Sequence, residues 1–204
     1  EGEPPVGRTV VRILANAREL VLGVECFDPD PSGIVSFSKA RDAELGSEDH
    51  VKVIFDTFLD GRTGYFFELN PQGAMTDALQ SPTDTNRAWD GIWNARVRRS
   101  EIGWVLEMEL PFQTLNFNPN SDTWGMNFQR TVQRKNEVSI WSGWRRTEGI
   151  WRLTNAGRVT GIRNVSQGRG LDLACLLQRM TGTDGPWHRP KAARIARLTN
   201  SQGA

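Results

Sequence analysis

Apolar and polar residues alternate with a period of two along most of the chain up to Thr160, the spacing that turns successive side chains to opposite faces of a strand. The clearest instance runs from His50 to Gly73. Val51, Val53 and Phe55 share one face and Lys52, Ile54 and Asp56 the other; beyond a turn at Asp60-Gly61, Tyr65, Phe67 and Leu69 alternate with Phe66, Glu68 and Asn70. This predicts a β-hairpin. In it Lys52 lies opposite Glu68, an opposite-charge cross-strand pair worth about 0.2–1 kcal/mol.

The same pattern predicts a first hairpin over 9–14 and 19–27, with Leu20, Leu22, Val24 and Cys26 on a core face. Asp28-Pro29-Asp30-Pro31-Ser32-Gly33 stops it. A short strand is predicted over 34–41 and a polar loop or loosely paired strand over 74–87. Strands follow over 89–98 and 103–110, the latter with Trp104, Leu106, Met108 and Leu110 inward and ended by Pro111. A helical turn over 112–117, a strand from Trp124 toward Arg134, its partner over 138–142 and a last strand over 157–160 complete the series. About ten short strands at hairpin spacing, with almost no helical periodicity, predict an all-β, immunoglobulin-like antiparallel sandwich of two sheets with an irregular C-terminal tail. The expected divisions are an extended leader over 1–8, the sandwich over 9–165 and a basic tail over 166–204.

Charge is nearly balanced, 25 Lys and Arg against 24 Asp and Glu, so no bulk electrostatic attraction to nucleic acid or to a membrane is expected. The balance is uneven along the chain. From Arg163 onward seven basic residues face two acidic ones, leaving +5 there and −4 in the rest. A chain that opens on Glu1 rather than Met is expected to be a processed or excised piece whose export signal is gone. No stretch has the unbroken apolar length of a transmembrane helix.

Catalytic constellations are scarce. His50 and His188 are the two histidines, which poorly supplies a Ser-His-Asp triad or a histidine metal site. Glu107 and Glu109 share one strand face and read as a solvated surface, and a haem site would need His50 or His188 with a Met such as Met126. Cys26 and Cys175 build no metal or redox motif, though one disulfide between them is open. Asp28, Asp30, Asp56 and Asp60, with Asp49, are oxygen donors of the kind calcium takes, without EF-hand spacing. The aromatics say more. Eight Trp stand beside one Tyr; Trp104 and Trp124 are in phase with the core, whereas Trp89 and Trp93 around Asp90-Gly91, and Trp141 and Trp144 around Ser142-Gly143, sit where partial exposure is expected. Exposed rings stack on sugar faces while polar side chains such as Asn70, Gln129, Arg130 and Arg134 bind hydroxyls.

Five stretches recur in a familiar order: Cys26-Phe27-Asp28-Pro29-Asp30-Pro31, Asp49-His50-Val51-Lys52-Val53-Ile54-Phe55-Asp56-Thr57, Tyr65-Phe66-Phe67-Glu68-Leu69-Asn70-Pro71-Gln72-Gly73, Gly103-Trp104-Val105-Leu106-Glu107-Met108-Glu109-Leu110-Pro111-Phe112 and Trp124-Gly125-Met126-Asn127-Phe128. Together they resemble the family 9 carbohydrate-binding module, in the version that precedes an outer-membrane β-barrel in bacterial proteins of unknown function. The resemblance spans 10–162. It implies an exported sandwich, secreted, periplasmic or associated with the outer membrane, that binds oligo- or polysaccharide by aromatic stacking and holds structural calcium. Gly161-Ile162-Arg163 and Gly168-Arg169-Gly170-Leu171-Asp172-Leu173 resemble the passage into a first barrel strand, after which the chain supplies no barrel.

Sugar-binding members carry a stacking Trp just before the strand corresponding to Val51 to Phe55, where this chain has Glu44-Leu45-Gly46-Ser47-Glu48. They carry an acidic residue at Lys52 and an arginine at Glu68, so the pair is inverted here; Asn70 is retained. The expected function is a non-catalytic carbohydrate-binding module using Trp89, Trp93, Trp141 and Trp144 with Asn70, Gln129 and Arg130. The alternative is a periplasmic interaction domain of an outer-membrane barrel protein with no sugar binding.

Overall fold

A computed structural model describes residues 5–143 and 147–167 and the backbone of 194–195 and 197–199. Among these residues there are thirteen strands and no α-helix, only short 3₁₀ turns. The strands form two antiparallel sheets packed face to face, the expected sandwich.

The first sheet contains β1 (Thr9–Ala15), β2 (Glu19–Phe27), β7 (Asn94–Ser100), β8 (Gly103–Pro111) and β12 (Arg194–Ile195), in the order β12-β1-β2-β8-β7. The second contains β3 (His50–Asp56), β4 (Gly64–Leu69), β5 (Met75–Gln80), β6 (Thr85–Asn86), β9 (Thr123–Val132), β11 (Gly157–Thr160) and β13 (Arg197–Thr199). Its order is β13-β11-β9-β3-β4-β5-β6, and β10 (Glu137–Ile140) pairs with the remaining length of β9 beyond β11.

The alternation read from the sequence decides the core. Leu20, Leu22, Val24 and Cys26 of β2 and Trp104, Leu106, Met108 and Leu110 of β8 meet Val51, Val53 and Phe55 of β3, Tyr65, Phe67 and Leu69 of β4, and Trp124, Met126 and Phe128 of β9 in one buried cluster. Phe112, at the start of a 3₁₀ turn over Phe112–Thr114, closes one end against Phe117 and Trp124. Cys26 is a free thiol in this core, and burial pushes its pKa up to about 12. Cys175 and His188 lie outside the described residues.

Three segments differ from the sequence expectation. No strand forms over 34–41, because the Glu48 carboxylate, rather than a neighbouring strand, accepts the backbone N–H groups of Phe37 and Ser38. Residues 75–80 form a full strand in register with β4. Their polar sequence is accommodated because Thr76 donates to the Ala43 carbonyl and the buried Asp77 accepts from Gly91 N–H and Arg41. Finally, 89–93 is a loop and β7 begins only at Asn94. In the stretch read as a basic tail, 194–195 pairs with β1 and 197–199 with β11.

Candidate functional site

Alternation also decides what the second sheet shows on the face turned away from the core. Register places Gln129, Lys52, Glu68 and Thr76 side by side in one row across β9, β3, β4 and β5. The row next to it is Asn127, Ile54, Phe66 and Ala78. On the other side stand Thr131 and His50, followed by Asn70 just past β4.

The two outer rows are covered. Ile150 and Leu153 bury Ile54, Phe66 and Ala78 in a second small apolar cluster, and Trp151 stacks on Phe66 with ring centroids 4.4 Å apart and 24° between planes. Asn127 ties this cover down, donating to the Ser142 carbonyl at 2.8 Å and accepting from Ser142 N–H at 3.1 Å. The opposite row lies under the segment 36–48. Asn70 donates to Glu48 and to the Ser38 carbonyl, both at 2.8 Å, while His50 Nδ1 donates to the Glu48 carbonyl at 2.8 Å. Thr76, bonded to Ala43, closes one end. What remains between the covers is a trough floored by Gln129, Lys52 and Glu68, about 10 Å long at the usual spacing of neighbouring strands.

Its electrostatics follow from burial. Lys52 Nζ lies 3.6 Å from Glu68 Oε1, in side chains 22% and 7% exposed, so the pair predicted from the hairpin is present and only the lysine reaches solvent appreciably. Burial raises the Glu68 pKa, and the charges of Lys52 and Arg87 only partly offset it. The Gln129 amide makes no hydrogen bond among the described residues. The floor thus offers an ammonium donor, a carboxylate acceptor and an amide that does both, with the partly buried Trp151 ring on one flank.

His50 sits behind Glu68, Nε2 accepting from the Thr131 hydroxyl at 3.0 Å and lying 3.5 Å from Glu68 Oε1. Burial, then the charge of Lys52, lowers its pKa from 6.5 to about 4. The unfolded chain therefore takes up this proton near pH 6.5 and the folded one only near 4. The stability this contributes is whole above pH 6.5 and is lost as pH falls toward 4, roughly 3 kcal/mol at about 1.4 kcal/mol per pKa unit. The raised carboxyl of Glu68 works in the opposite sense, so the comparison must be with a variant. Urea unfolding between pH 7 and pH 4 should show the unchanged protein losing roughly 3 kcal/mol more than His50→Gln; parallel losses would remove His50 as the cause.

Of the seven residues proposed from sequence to bind sugar, Gln129 is in the trough. Asn70 borders it but is fully buried and fully used, its amide oxygen accepting from Gln72 and Ala74 N–H. Arg130 points to the other face, where Nη1 donates to the carbonyls of Gly7 and Arg8 and to the Thr9 hydroxyl. Trp141 packs against the core on that same face. Trp144 lies outside the described residues. Trp93 does not have the expected exposure. It is 4% exposed and stands edge-on to Phe67 at 5.0 Å, while Trp89 packs on Tyr65 at 5.3 Å. The reason lies in partners distant in sequence: Asp77 takes Gly91 N–H and Arg41 bridges Asp77 and Asp90, which folds the 88–93 loop back and turns both indoles toward the core.

The four aspartates proposed for calcium do not converge. Both oxygens of Asp28 accept from the Arg134 guanidinium. Burial pushes its pKa up, but the Arg134 bonds, the Asp30 N–H and the charges of Arg134 and Arg130 together leave it lowered. Asp30 accepts from the Ser32 hydroxyl. At the far end of β3, Asp56 accepts from Asp60 and Gly61 N–H, and Asp60 from Arg62 and Thr63. Among the described residues no three His, Cys, Asp or Glu side chains are placed to hold a metal ion. His50 and Met126 lie on opposite faces of the second sheet and cannot share a haem iron.

No family model and no curated protein matches the chain. Solved structures do. A protein of Bacteroides uniformis described as carbohydrate-binding superposes with a TM-score of 0.62 at 16% identity, over 74% of this chain and 77% of that one. The chain has the fold of such proteins. A family 9 carbohydrate-binding module from Caldicellulosiruptor kristjanssonii, solved with cellotriose, matches with a TM-score of 0.56 at 12% identity over 78% of this chain and 76% of that one. The same organism's family 9 module solved with glucose gives 0.57 at 12% identity, over 84% and 82%.

Proposed function

We propose that this domain is a non-catalytic carbohydrate-binding module that seats a sugar in the trough of the second sheet. The observation that carries the reading is the row Gln129–Lys52–Glu68 between two covering segments, with Lys52 22% exposed at its centre and Trp151 stacked on the neighbouring Phe66. A pyranose presents vicinal hydroxyls at one edge and an apolar face on its flat side. Lys52 donates to hydroxyl oxygens, Glu68 accepts their hydrogens, Gln129 serves either, and Trp151 supplies the stacking surface. The fold shared with carbohydrate-binding proteins supports the same reading.

Trp-fluorescence titration with β-glucans, xylan and their oligosaccharides tests the proposal. For the best ligand, Glu68→Gln and Lys52→Ala are each expected to weaken binding roughly tenfold or more, as loss of a hydrogen bond to a charged group does. Trp151→Ala should weaken it as well. Unchanged affinity in all three variants would place the sugar elsewhere.

A further inference from the structure

Glu68, the carboxylate on the floor of the trough, is short of donors. Other buried carboxylates of this sandwich gather hydrogen bonds: Glu48 accepts from the N–H groups of Phe37 and Ser38 and from the Asn70 amide, and Asp77 from Gly91 N–H and the Arg41 guanidinium. The Glu68 side chain is 7% exposed, yet its nearest donor among the described residues is Lys52 Nζ at 3.6 Å, an ion-pair separation longer than a hydrogen bond. The Thr76 hydroxyl opposite it on β5 is engaged by the Ala43 carbonyl instead.

The next neighbour offers no donor either. His50 Nδ1 donates to the Glu48 carbonyl, so Nε2 carries a lone pair and no N–H where it lies 3.5 Å from Glu68 Oε1. The Thr131 hydroxyl is taken by that same nitrogen. Burial is the largest influence on Glu68 and raises its pKa above the ordinary 4.5; Lys52 on β3 and Arg87 beyond β6 favour the ionised form, and Glu44 in the covering segment opposes it. From β9 only the uncharged Gln129 and Thr131 stand on this side.

A nearly buried carboxylate without donors can be satisfied in two ways: a ligand hydroxyl donates to it, or it takes a proton and becomes a donor itself. We infer, resting on the reading of the trough as the sugar site, that a sugar hydroxyl and a proton compete for Glu68, so that bound glycan is released as the surroundings turn acid. The ionised form binds. Affinity is therefore full above the folded value of Glu68 and lost as pH falls through it. By reciprocity, bound glycan makes Glu68 harder to protonate.

The test follows the Glu68 carboxyl carbon by NMR in the isotope-labelled intact protein from pH 7 to pH 4.5, free and saturated with the glycan that binds best at pH 7. The signal is assigned by its absence from Glu68→Gln. The bound protein should titrate at lower pH than the free one. Because more than half of a carboxyl raised above 4.5 is protonated at pH 4.5, affinity there should be lower than at pH 7 by more than about twofold. The residual binding of Glu68→Gln should not change over this range. Equal midpoints free and bound, an affinity that holds to pH 4.5, or a fall that Glu68→Gln shares would each overturn the competition and leave the sugar site standing. Absence of glycan binding at pH 7 would remove the sugar site and the competition with it.

Discussion

Trp124→Ala is expected to lower the free energy of unfolding by about 3–5 kcal/mol, the range for deleting a large buried aromatic. Trp124 is fully buried and is the ring on which both ends of the core converge, with Phe55 at 6.3 Å, Phe112 at 5.8 Å and Phe117 at 5.4 Å. The strand it occupies, β9, pairs with β3, β10 and β11, so a void there loosens the second sheet and the seal beneath Phe112 together. Urea unfolding monitored by circular dichroism measures the loss. A loss below about 1 kcal/mol, the scale of an ordinary surface change, would mean that the core is not closed around this ring.

Asp28→Ala is expected to cost about 3–5 kcal/mol, as breaking a buried ion pair from one side does. Its carboxylate is 1% exposed and accepts from Nη1 and Nη2 of Arg134, and Arg130 lies behind it at 3.8 Å. Removing it leaves two buried or half-buried positive charges facing one another across the end of β2. A double-mutant cycle with Arg134→Ala separates the pair from each residue's packing. The double variant should be less destabilised than the sum of the two single ones. Additive losses would show that Arg134 holds nothing through Asp28. The lowered carboxyl of Asp28 also implies that this contribution is present above the ordinary aspartate range and lost as pH falls through the lower folded value.

Alternation alone was enough for the sandwich and its inner face, because a period of two leaves little freedom when one face is buried. Strands 19–27, 50–56 and 157–160 and the Lys52–Glu68 register all follow from it. It failed where partners distant in sequence decide the outcome. Nothing local to 34–41 reveals that Glu48 will satisfy its backbone, and nothing in Trp89-Asp90-Gly91-Ile92-Trp93 reveals that Asp77 and Arg41 will fold the loop inward. The trough was half legible. Lys52, Glu68 and Gln129 fall on the outer face by the same alternation, but Ile54 and Phe66 fall there too, and apolar residues on a supposedly solvated face signal a second covering layer. That layer, with Trp151, covers one side of the proposed site. Trp151 itself is separated from Phe66 by 85 residues of sequence, a distance no periodicity spans.

The measurement closest to the central claim is a glycan panel titrated against intrinsic tryptophan fluorescence at pH 7, with unchanged protein and Glu68→Gln side by side. Saturable binding of at least one oligo- or polysaccharide, weakened roughly tenfold or more in the variant, is the predicted result. No response to any glycan at millimolar concentration, or a response that Glu68→Gln leaves untouched, would contradict it.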